Sequence, residues 1–353
     1  MQPDYSRQQS LKEVGAAGQA KLAAARVLVV GAGGLGSPVL QYLAGAGVGC
    51  LGVVDADTLE ASNLHRQPLY ALADVGRPKA ELAREGISAI NPAVKIEIFP
   101  ARLTADNALN LARSFDLVVE CSDNFRTKFL VNDAVVLAKK PAVFASVYQY
   151  EGQLQVYRPE SGYACLRCVW PAATEDGLVG NCAEAGVLGP VPGILGSLQA
   201  LQALKVLLGL EGQLAGELLL FDLTNLSIVK IKAPRCADCR APGCARIHEI
   251  SREETRLELG FDALSDAQFA GFEVIDIREP QEVAARPSGV RHIPMNELLA
   301  DPGLLAGPAT HTGPFLLLCA SGKRSLATAR ALQSRGIAAR SLAGGLAALK
   351  PLH

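Results

Sequence analysis

The feature that most constrains this chain is a run without a single charged residue, from Val27 to Val54. It reads V-L-V-V, then G-A-G-G-L-G, then an apolar stretch to about Ala44, then L-G-V-V-D. A run this long could span a bilayer, which needs roughly 20 apolar residues. Eight glycines, Pro38 and a central Gln41 break it up, however. A buried strand, a tight turn, a helix and a second buried strand account for it better. That unit is half of a doubly wound, nucleotide-binding α/β sheet.

The turn itself, Gly31-Ala32-Gly33-Gly34-Leu35-Gly36, has the spacing G-x-G-x-x-G between strand and helix. Glycines there let phosphate oxygens approach backbone N–H groups at the positive end of the helix. Asp55 closes the next strand, where an acid can hold ribose hydroxyls. Up to this point a nicotinamide or flavin dehydrogenase fits as well as an ATP enzyme. Beyond Asp55, Asn63, Arg66 and Lys79 follow in order. Such donors suit a triphosphate, whose charge must be neutralised, and no pattern for a hydride-accepting pocket accompanies them. A third buried strand, D-L-V-V-E-C, ends in Ser122, Asp123 and Asn124, which places these polar groups at the ligand crevice. Further elements are expected as a helix over 78–89, a strand over 95–99, an apolar helix over 193–208 and a strand near 217–223.

With 353 residues the chain calls for two domains. Residues 246–262 turn charged and serve as the connector, after which a new α/β pattern begins. Lys and Arg (34) balance Asp and Glu (35), so nothing in the bulk charge points to nucleic acid. The amino-terminal M-Q-P-D-Y-S-R-Q-Q has no apolar secretion signal, and a cytoplasmic protein is expected. Nine cysteines then argue for metal binding or thiol chemistry over disulfides. Cys50 and Cys121 sit in apolar strands and read as core thiols. Cys165/Cys168 and Cys236/Cys239 form two C-x-x-C pairs, enough for a tetrahedral zinc site, although one such pair alone could be redox-active. Cys244 is a nearby fifth thiol without an assignment, and Cys182 lies in a Gly- and Pro-rich loop, where a spare thiol is the plain reading. Cys319 stands between the strand F-L-L-L and a helix, in C-A-S-G-K-R-S. Backbone amides, a helix N-terminus, Lys323 and Arg324 there would favour a sulfur anion.

Taken together, G-A-G-G-L-G, D-A-D-x-x-x-x-S-N-L-H-R-Q, G-R-P-K and C-S-D-N resemble the MoeB/ThiF branch of the ubiquitin-activating-enzyme-like family, from about Tyr5 to Cys239. The resemblance implies a Rossmann-like adenylation domain over 1–247. In it Gly31, Gly33, Gly34, Gly36 and Asn124 would line the ATP site and Asp55 would bind ribose. Asn63, Arg66 and Lys79 would contact the polyphosphate, and Asp123 would hold Mg²⁺. It further implies Zn²⁺ on Cys165, Cys168, Cys236 and Cys239, a homodimer in which Arg7 enters the partner's site, and a participating thiol at Cys182. For Cys182 two roles stay open, attack on an acyl-adenylate or resolution of an acyl-disulfide.

Residues 263–353, past a linker over 248–262, resemble a smaller α/β rhodanese domain. They carry V-I-D-I-R-E, H-I-P-M-N and L-A-G-G-L, with Leu349 where many rhodaneses have tryptophan. A cysteine phosphatase is the other fold with such a loop, but its Arg follows five intervening residues, and Arg324 follows four. The expected activity is ATP-dependent adenylation of the terminal Gly-Gly of a ubiquitin-like sulfur carrier, then sulfur transfer through Cys319 to give a thiocarboxylate. Persulfide or thiosulfate would be the donor, a cysteine desulfurase being one source. Molybdopterin synthesis is the leading template; thiamine, tRNA thiolation and thiocarboxylate siderophore routes share the chemistry. Two rivals from other classes are an NAD-dependent oxidoreductase and a non-catalytic scaffold that docks a carrier. No nucleic-acid or membrane partner is expected.

Overall fold

A computed structural model of the chain describes residues 3–160, 163–170, 186–214, 216–236, 239, 244, 247–250, 257–259, 271–305 and 314–348. Cys182 lies outside the described residues. The chain divides into two compact units, with the division after Ile250.

In the first unit the strands are β1 (Arg26–Val30), β2 (Cys50–Val54), β3 (Lys95–Phe99), β4 (Leu117–Glu120), β5 (Ala142–Tyr148), β6 (Glu151–Tyr157), β7 (Glu217–Asp222) and β8 (Ser227–Lys232). They form one sheet in the order β3-β2-β1-β4-β5-β6-β7-β8. The first five are parallel, and β6, β7 and β8 continue as an antiparallel meander. The doubly wound expectation therefore describes one part of the sheet; the rest is antiparallel. The helices are α1 (Ser6–Gln9), α2 (Gly15–Ala24), α3 (Gly36–Gly45), α4 (Lys79–Ile90), α5 (Ala108–Ser114), α6 (Phe125–Ala138), α7 (Leu166–Val169) and α8 (Pro190–Leu208).

The strands of the uncharged run are apolar throughout because β1 and β2 are covered on both faces. Val27 and Val29 join a core with Leu40, Leu43, Ile87 and Leu195, whereas Leu28 and Val30 join another with Phe115, Val131 and Val135. This is the two-residue period of a strand, hidden in the sequence because both faces are dry. Cys50 and Cys121 are buried as expected, and burial raises both thiols above their ordinary range.

One charged pair sits inside this core. Glu120, at the end of β4, is fully buried and bonds the Lys128 ammonium on α6, which also donates to the Ala145 carbonyl at 2.6 Å. The Ser122 amide donates to the same carboxylate at 2.8 Å, so the polar groups are mutually satisfied. Gln199 of α8 donates to the Glu120 carbonyl at 2.7 Å and ties the helix to the strand end.

The second unit is a parallel sheet of β9 (Glu258–Leu259), β10 (Glu273–Asp276), β11 (Arg291–His292), β12 (Phe315–Leu318) and β13 (Ala339–Leu342), ordered β11-β10-β12-β13-β9. With it go α9 (Pro280–Ala285), α10 (Met295–Ala300), α11 (Lys323–Ser334) and α12 (Gly345–Ala348). Ile275, Ile277, Leu317, Ala329 and Leu332 form its core. Glu258 and Leu259 fall inside the charged stretch read as a linker, yet they pair with Ser341 and Leu342. An edge strand needs few apolar residues, so charge concealed it.

Replacing Lys128 by Met should leave Glu120 buried without a partner. Urea unfolding followed through Trp170, the chain's single tryptophan, should show a loss of about 3–5 kcal/mol. The Glu120→Leu/Lys128→Met double variant should recover most of it, since two apolar groups leave no charge stranded.

Candidate active site

At the end of β1 the backbone turns where no side chain fits. Gly31 has φ +94°, and a Cβ there would stand 2.8 Å from the Cys121 carbonyl oxygen. A Cβ on Gly36 would lie 2.0 Å from the Gly31 oxygen, and one on Gly34 would meet Pro192 of α8 at 3.2 Å. The four glycines expected at a phosphate turn are thus sterically accounted for in three cases. Gly33 is less crowded, with Gln67 Nε2 at 3.5 Å from that position.

The Ala32 peptide within this turn is held from both sides. Its N–H donates to Asp55 Oδ2 at 2.8 Å, and its carbonyl accepts from the Tyr70 hydroxyl at 2.7 Å. The other Asp55 oxygen accepts from the Asp57 amide at 2.8 Å. Burial pushes the Asp55 carboxyl up, while those two amides and Lys79 oppose the shift. Lys79 opens α4, is buried, and reaches Asp57 Oδ2 at 3.3 Å. Asn63, in a short 3-10 turn (Ala61–Asn63) between β2 and α4, is buried, and its Oδ1 accepts from the Glu60 amide at 3.3 Å. Arg66 donates to the Ser62 carbonyl at 3.0 Å, and its own carbonyl oxygen lies 3.5 Å from where a Gly34 Cβ would be. β1 and β4 are neighbours, with Val30 opposite Glu120, so Asp123 and Asn124 leave the sheet beside the turn. Asp123 is exposed, while the Asn124 side chain caps α6 by accepting from Thr127 N at 2.8 Å.

Nearly all the expected nucleotide residues therefore gather at the carboxyl ends of β1, β2 and β4, where ligands bind in such sheets. Arg7 does not join them. It is exposed on α1, which is anchored by Tyr5 against Gly47 and Asn91, and by Gln8 donating to the Ala46 carbonyl at 3.1 Å. These contacts lie before the start of β2, and Asp55 lies beyond its end. The sequence reading also passed over Gln67 and Tyr70. Gln67 is buried against Gly33 with its Oε1 lacking a hydrogen-bond partner among the described residues. Its position directly after Arg66 was the only signal for it.

The paired cysteines converge. The sulfurs of Cys168, Cys236 and Cys239 lie within 4.8 Å of one another, and Cys165 Sγ is 3.7 Å from Cys168 Sγ. In a tetrahedral thiolate site with bonds of about 2.3 Å, neighbouring sulfurs stand roughly 3.8 Å apart. Cys168, Cys236 and Cys239 thus form a cluster that could hold a metal ion, and Cys165 stands beside it through its contact with Cys168. Contact with Cys165 holds the Cys168 thiol down to about 4, and the same contact followed by burial raises Cys165. Burial pushes Cys239 up to about 12. Cys244 is buried beside them, 2.9 Å from Cys239.

In the second unit Cys319 follows β12 and is fully buried, its sulfur accepting from the Gly322 amide at 3.1 Å and the Ser325 amide at 3.4 Å. Gly322 has φ +85°, which curls the loop back over its own cysteine. A Cβ on Gly345 would lie 2.3 Å from the Cys319 carbonyl oxygen, so the second glycine of L-A-G-G-L is a packing requirement of this loop. Ser325 and Ser341 hydroxyls meet at 2.8 Å beneath it. Arg324 has a carboxylate partner of its own. It forms a two-pronged pair with Glu282 at 2.7 and 2.6 Å and holds that carboxyl below its ordinary range. Amides supply the positive environment at the sulfur, and Arg324 fastens α11 to α9.

Comparison with known proteins agrees with both units. Residues 5–242 match the ThiF family and residues 261–351 match the rhodanese-like domain. A sulfur carrier protein adenylyltransferase of Thermus thermophilus is 52% identical over 242 residues, covering 67% of this chain and 89% of the relative. Adenylyltransferase and sulfurtransferase MOCS3 of Mus musculus is 39% identical over 367 residues, 94% of this chain and 79% of the relative. Among solved structures, E. coli MccB with MccA-N7isoASN superposes with a TM-score of 0.57 at 22% identity, over 64% of this chain and 69% of that one, a likeness of fold. On these matches the chain belongs to the ThiF family, in the branch that joins an adenylyltransferase to a C-terminal rhodanese-like sulfurtransferase.

Proposed function

We propose that the chain adenylates the C-terminal Gly-Gly carboxylate of a ubiquitin-like sulfur carrier and converts it to a thiocarboxylate with sulfur carried on Cys319. The observation that supports this best is the presence, in one chain, of a glycine turn closed by Asp55 and a cysteine loop closed by its own amides. Neither a hydride pocket nor a passive scaffold calls for both.

ATP would lie over the turn with its ribose toward Asp55 and its phosphates toward Asn63, Arg66 and Lys79. The carrier carboxylate attacks the α-phosphorus; the bond to the β-phosphate oxygen breaks, and pyrophosphate leaves. Asp123 is an exposed carboxylate at the strand ends and fits a magnesium ligand. The ion, when bound, would neutralise phosphate charge. Zinc held by the paired cysteines would serve a structural role in the first unit. A thiosulfate or persulfide donor loads the outer sulfur onto Cys319. That sulfur displaces AMP from the acyl-adenylate, giving an acyl-disulfide with Cys319. A second thiol then attacks the Cys319 sulfur and releases the thiocarboxylate, and external thiols reduce the disulfide left behind. Cys182 is the family's residue for this second thiol or for direct attack on the adenylate.

The active species is a homodimer. β2 has five residues, about 16 Å of strand, between the anchor of α1 and Asp55. An arginine side chain does not cover that distance, so Arg7 would serve a site in another copy. Exposed Tyr42 on α3 and Ile194 and Leu201 on α8 supply apolar surface for such a contact.

Pyrophosphate–ATP exchange should require Mg²⁺ and a Gly-Gly-ended carrier, and Asp123→Ala should abolish it with the circular-dichroism spectrum unchanged. Cys319→Ala should keep that exchange near wild type yet lose thiosulfate sulfurtransferase activity and the sulfur adduct seen by intact-protein mass spectrometry. An adduct that persists without Cys319 would move the sulfur-carrying role elsewhere.

Arg7→Ala and Asp123→Ala proteins, each inactive alone, should regain activity when mixed, because one of two sites in the mixed dimer is complete. Absence of rescue where subunit exchange is demonstrated would refute catalysis across the dimer.

A further inference from the structure

Two buried hydroxyls lie beside the Cys319 sulfur, and sulfur transfer as described so far uses neither. Ser325, on α11, and Ser341, on β13, are both fully buried. The Ser325 oxygen stands 3.4 Å from Cys319 Sγ and 2.8 Å from the Ser341 oxygen. Both hydroxyls also reach the Gly322 carbonyl, at 3.1 and 3.2 Å. Each has one proton to donate, so the two protons cannot serve all of these contacts at once. Which contacts they serve depends on the charge of the sulfur.

While Cys319 is a thiol, its S–H donates to the Ser325 oxygen, Ser325 donates to Ser341, and Ser341 donates to the Gly322 carbonyl. Once the thiol proton has left for solvent, the sulfur anion accepts from the Ser325 hydroxyl instead. The Ser325 oxygen then needs a donor, and Ser341 is the hydroxyl placed to supply one. The Gly322 carbonyl gives up both hydroxyls but keeps the Leu326 amide at 3.1 Å, so no buried group is stranded. Both hydroxyl protons stay on their own oxygens and merely turn. The amides of Gly322 and Ser325 face the sulfur in either state.

We propose that Ser341 is a positioning residue for sulfur transfer, its hydroxyl turning toward Ser325 and holding the Ser325 proton on the sulfur whenever Cys319 is anionic. The role rests on the reading of Cys319 as the sulfur carrier. Without the Ser341 hydroxyl the thiol form keeps a full set of partners, since Ser325 can donate to the Gly322 carbonyl. The anionic form does not, because the Ser325 oxygen is left buried with no donor. The relay thus favours the anion selectively. Charged groups on the surrounding elements are Lys323 and Arg324 on α11, Arg340 on β13, Glu282 on α9, and Asp276 and Arg278 at the end of β10. Arg324 pairs with Glu282 and Arg278 with Asp276. A change at Ser341 leaves all six in the chain and so isolates the hydroxyl.

Thiolate absorbance in the ultraviolet, followed over a pH series on the full-length protein, tests the relay. The Cys319 signal is the difference between each protein and its counterpart that also carries Cys319→Ala. In Ser341→Ala the ratio of thiolate to thiol at a given pH should fall about tenfold, close to the worth of one hydrogen bond to a charged group. Ser325→Ala should lower it at least as far, and Ser341→Thr, which keeps the hydroxyl, should stay near wild type. A Ser341→Ala ratio equal to that of wild type would overturn the relay, as would an equal loss in Ser341→Thr. The S–H infrared band of Cys319, taken at acid pH by difference from Cys319→Ala, needs no serine variant. It should lie at the lowered frequency of a thiol that donates a hydrogen bond, and a free-thiol frequency would overturn the relay too. Sulfur loading is read separately. If thiosulfate leaves no sulfur adduct on wild-type Cys319, the carrier reading falls and the role in sulfur transfer with it, while the absorbance still decides the hydroxyl pairing.

Discussion

The first unit depends on how closely backbone can approach backbone at the end of β1. Gly31 sits against the Cys121 carbonyl, Gly36 folds back on Gly31, and Gly34 receives Pro192. Two more contacts extend the same constraint. A Cβ on Gly189 would lie 2.1 Å from the His65 oxygen, and one on Gly196 would lie 2.4 Å from the Leu35 oxygen. Four separate stretches, the turn, the loop of Arg66, the end of β4 and the first part of α8, therefore meet closely, mostly through main chain with Pro192 and Pro38 side chains between. A methyl group at several of these points would push a whole element away, since main-chain atoms cannot swing aside as a side-chain end can. The site's residues come from distant parts of the sequence, and this packing is what sets their spacing.

The buried Glu120–Lys128 pair does related work from below. It fixes the end of β4 to α6 and leads directly into Ser122, Asp123 and Asn124. With the carboxylate engaged by Lys128 and the Ser122 amide, the exposed Asp123 is the acid that remains available at the strand end. A buried ion pair is weak evidence for stability, because desolvation offsets much of the attraction. Here its value is positional: Glu120 is held inside the core, and Asp123 is the exposed acid of the two.

What the sequence showed, and what it hid, follows from which signals are local. Glycine spacing, an acid at a strand end and apolar runs are local, so β1, α3, β2 and β3 were legible almost to the residue. Of the antiparallel meander only β7 was expected; β6 was not, nor was β8, whose Ile228, Val229 and Ile231 stay exposed and so follow no rule of burial. β9 was hidden likewise by charge. At the sites, residue identity was legible and the choice of partner was not. Arg324 reads as a cation for the sulfur, and only the fold brings Glu282, distant in sequence, within reach of it. Gln67 and Tyr70 act through burial, which no short motif encodes.

The two units share one device, and the residue that follows the strand is a main difference between them. Each ends a buried parallel strand in a tight turn with a left-handed glycine, Gly31 or Gly322, and continues into a helix, α3 or α11. Both turns gather amides at the start of a helix, where negative charge is favoured. The first turn carries no anionic side chain of its own, and the amide of Ala32 donates to the Asp55 carboxylate from the end of the next strand. In the second, the residue after the strand is Cys319, and its own sulfur accepts from the Gly322 and Ser325 amides. An added sulfur would carry its charge one bond farther, to the mouth of the same cradle. The chemistry of each unit thus turns on whether the strand-end residue leaves the cradle open or fills it.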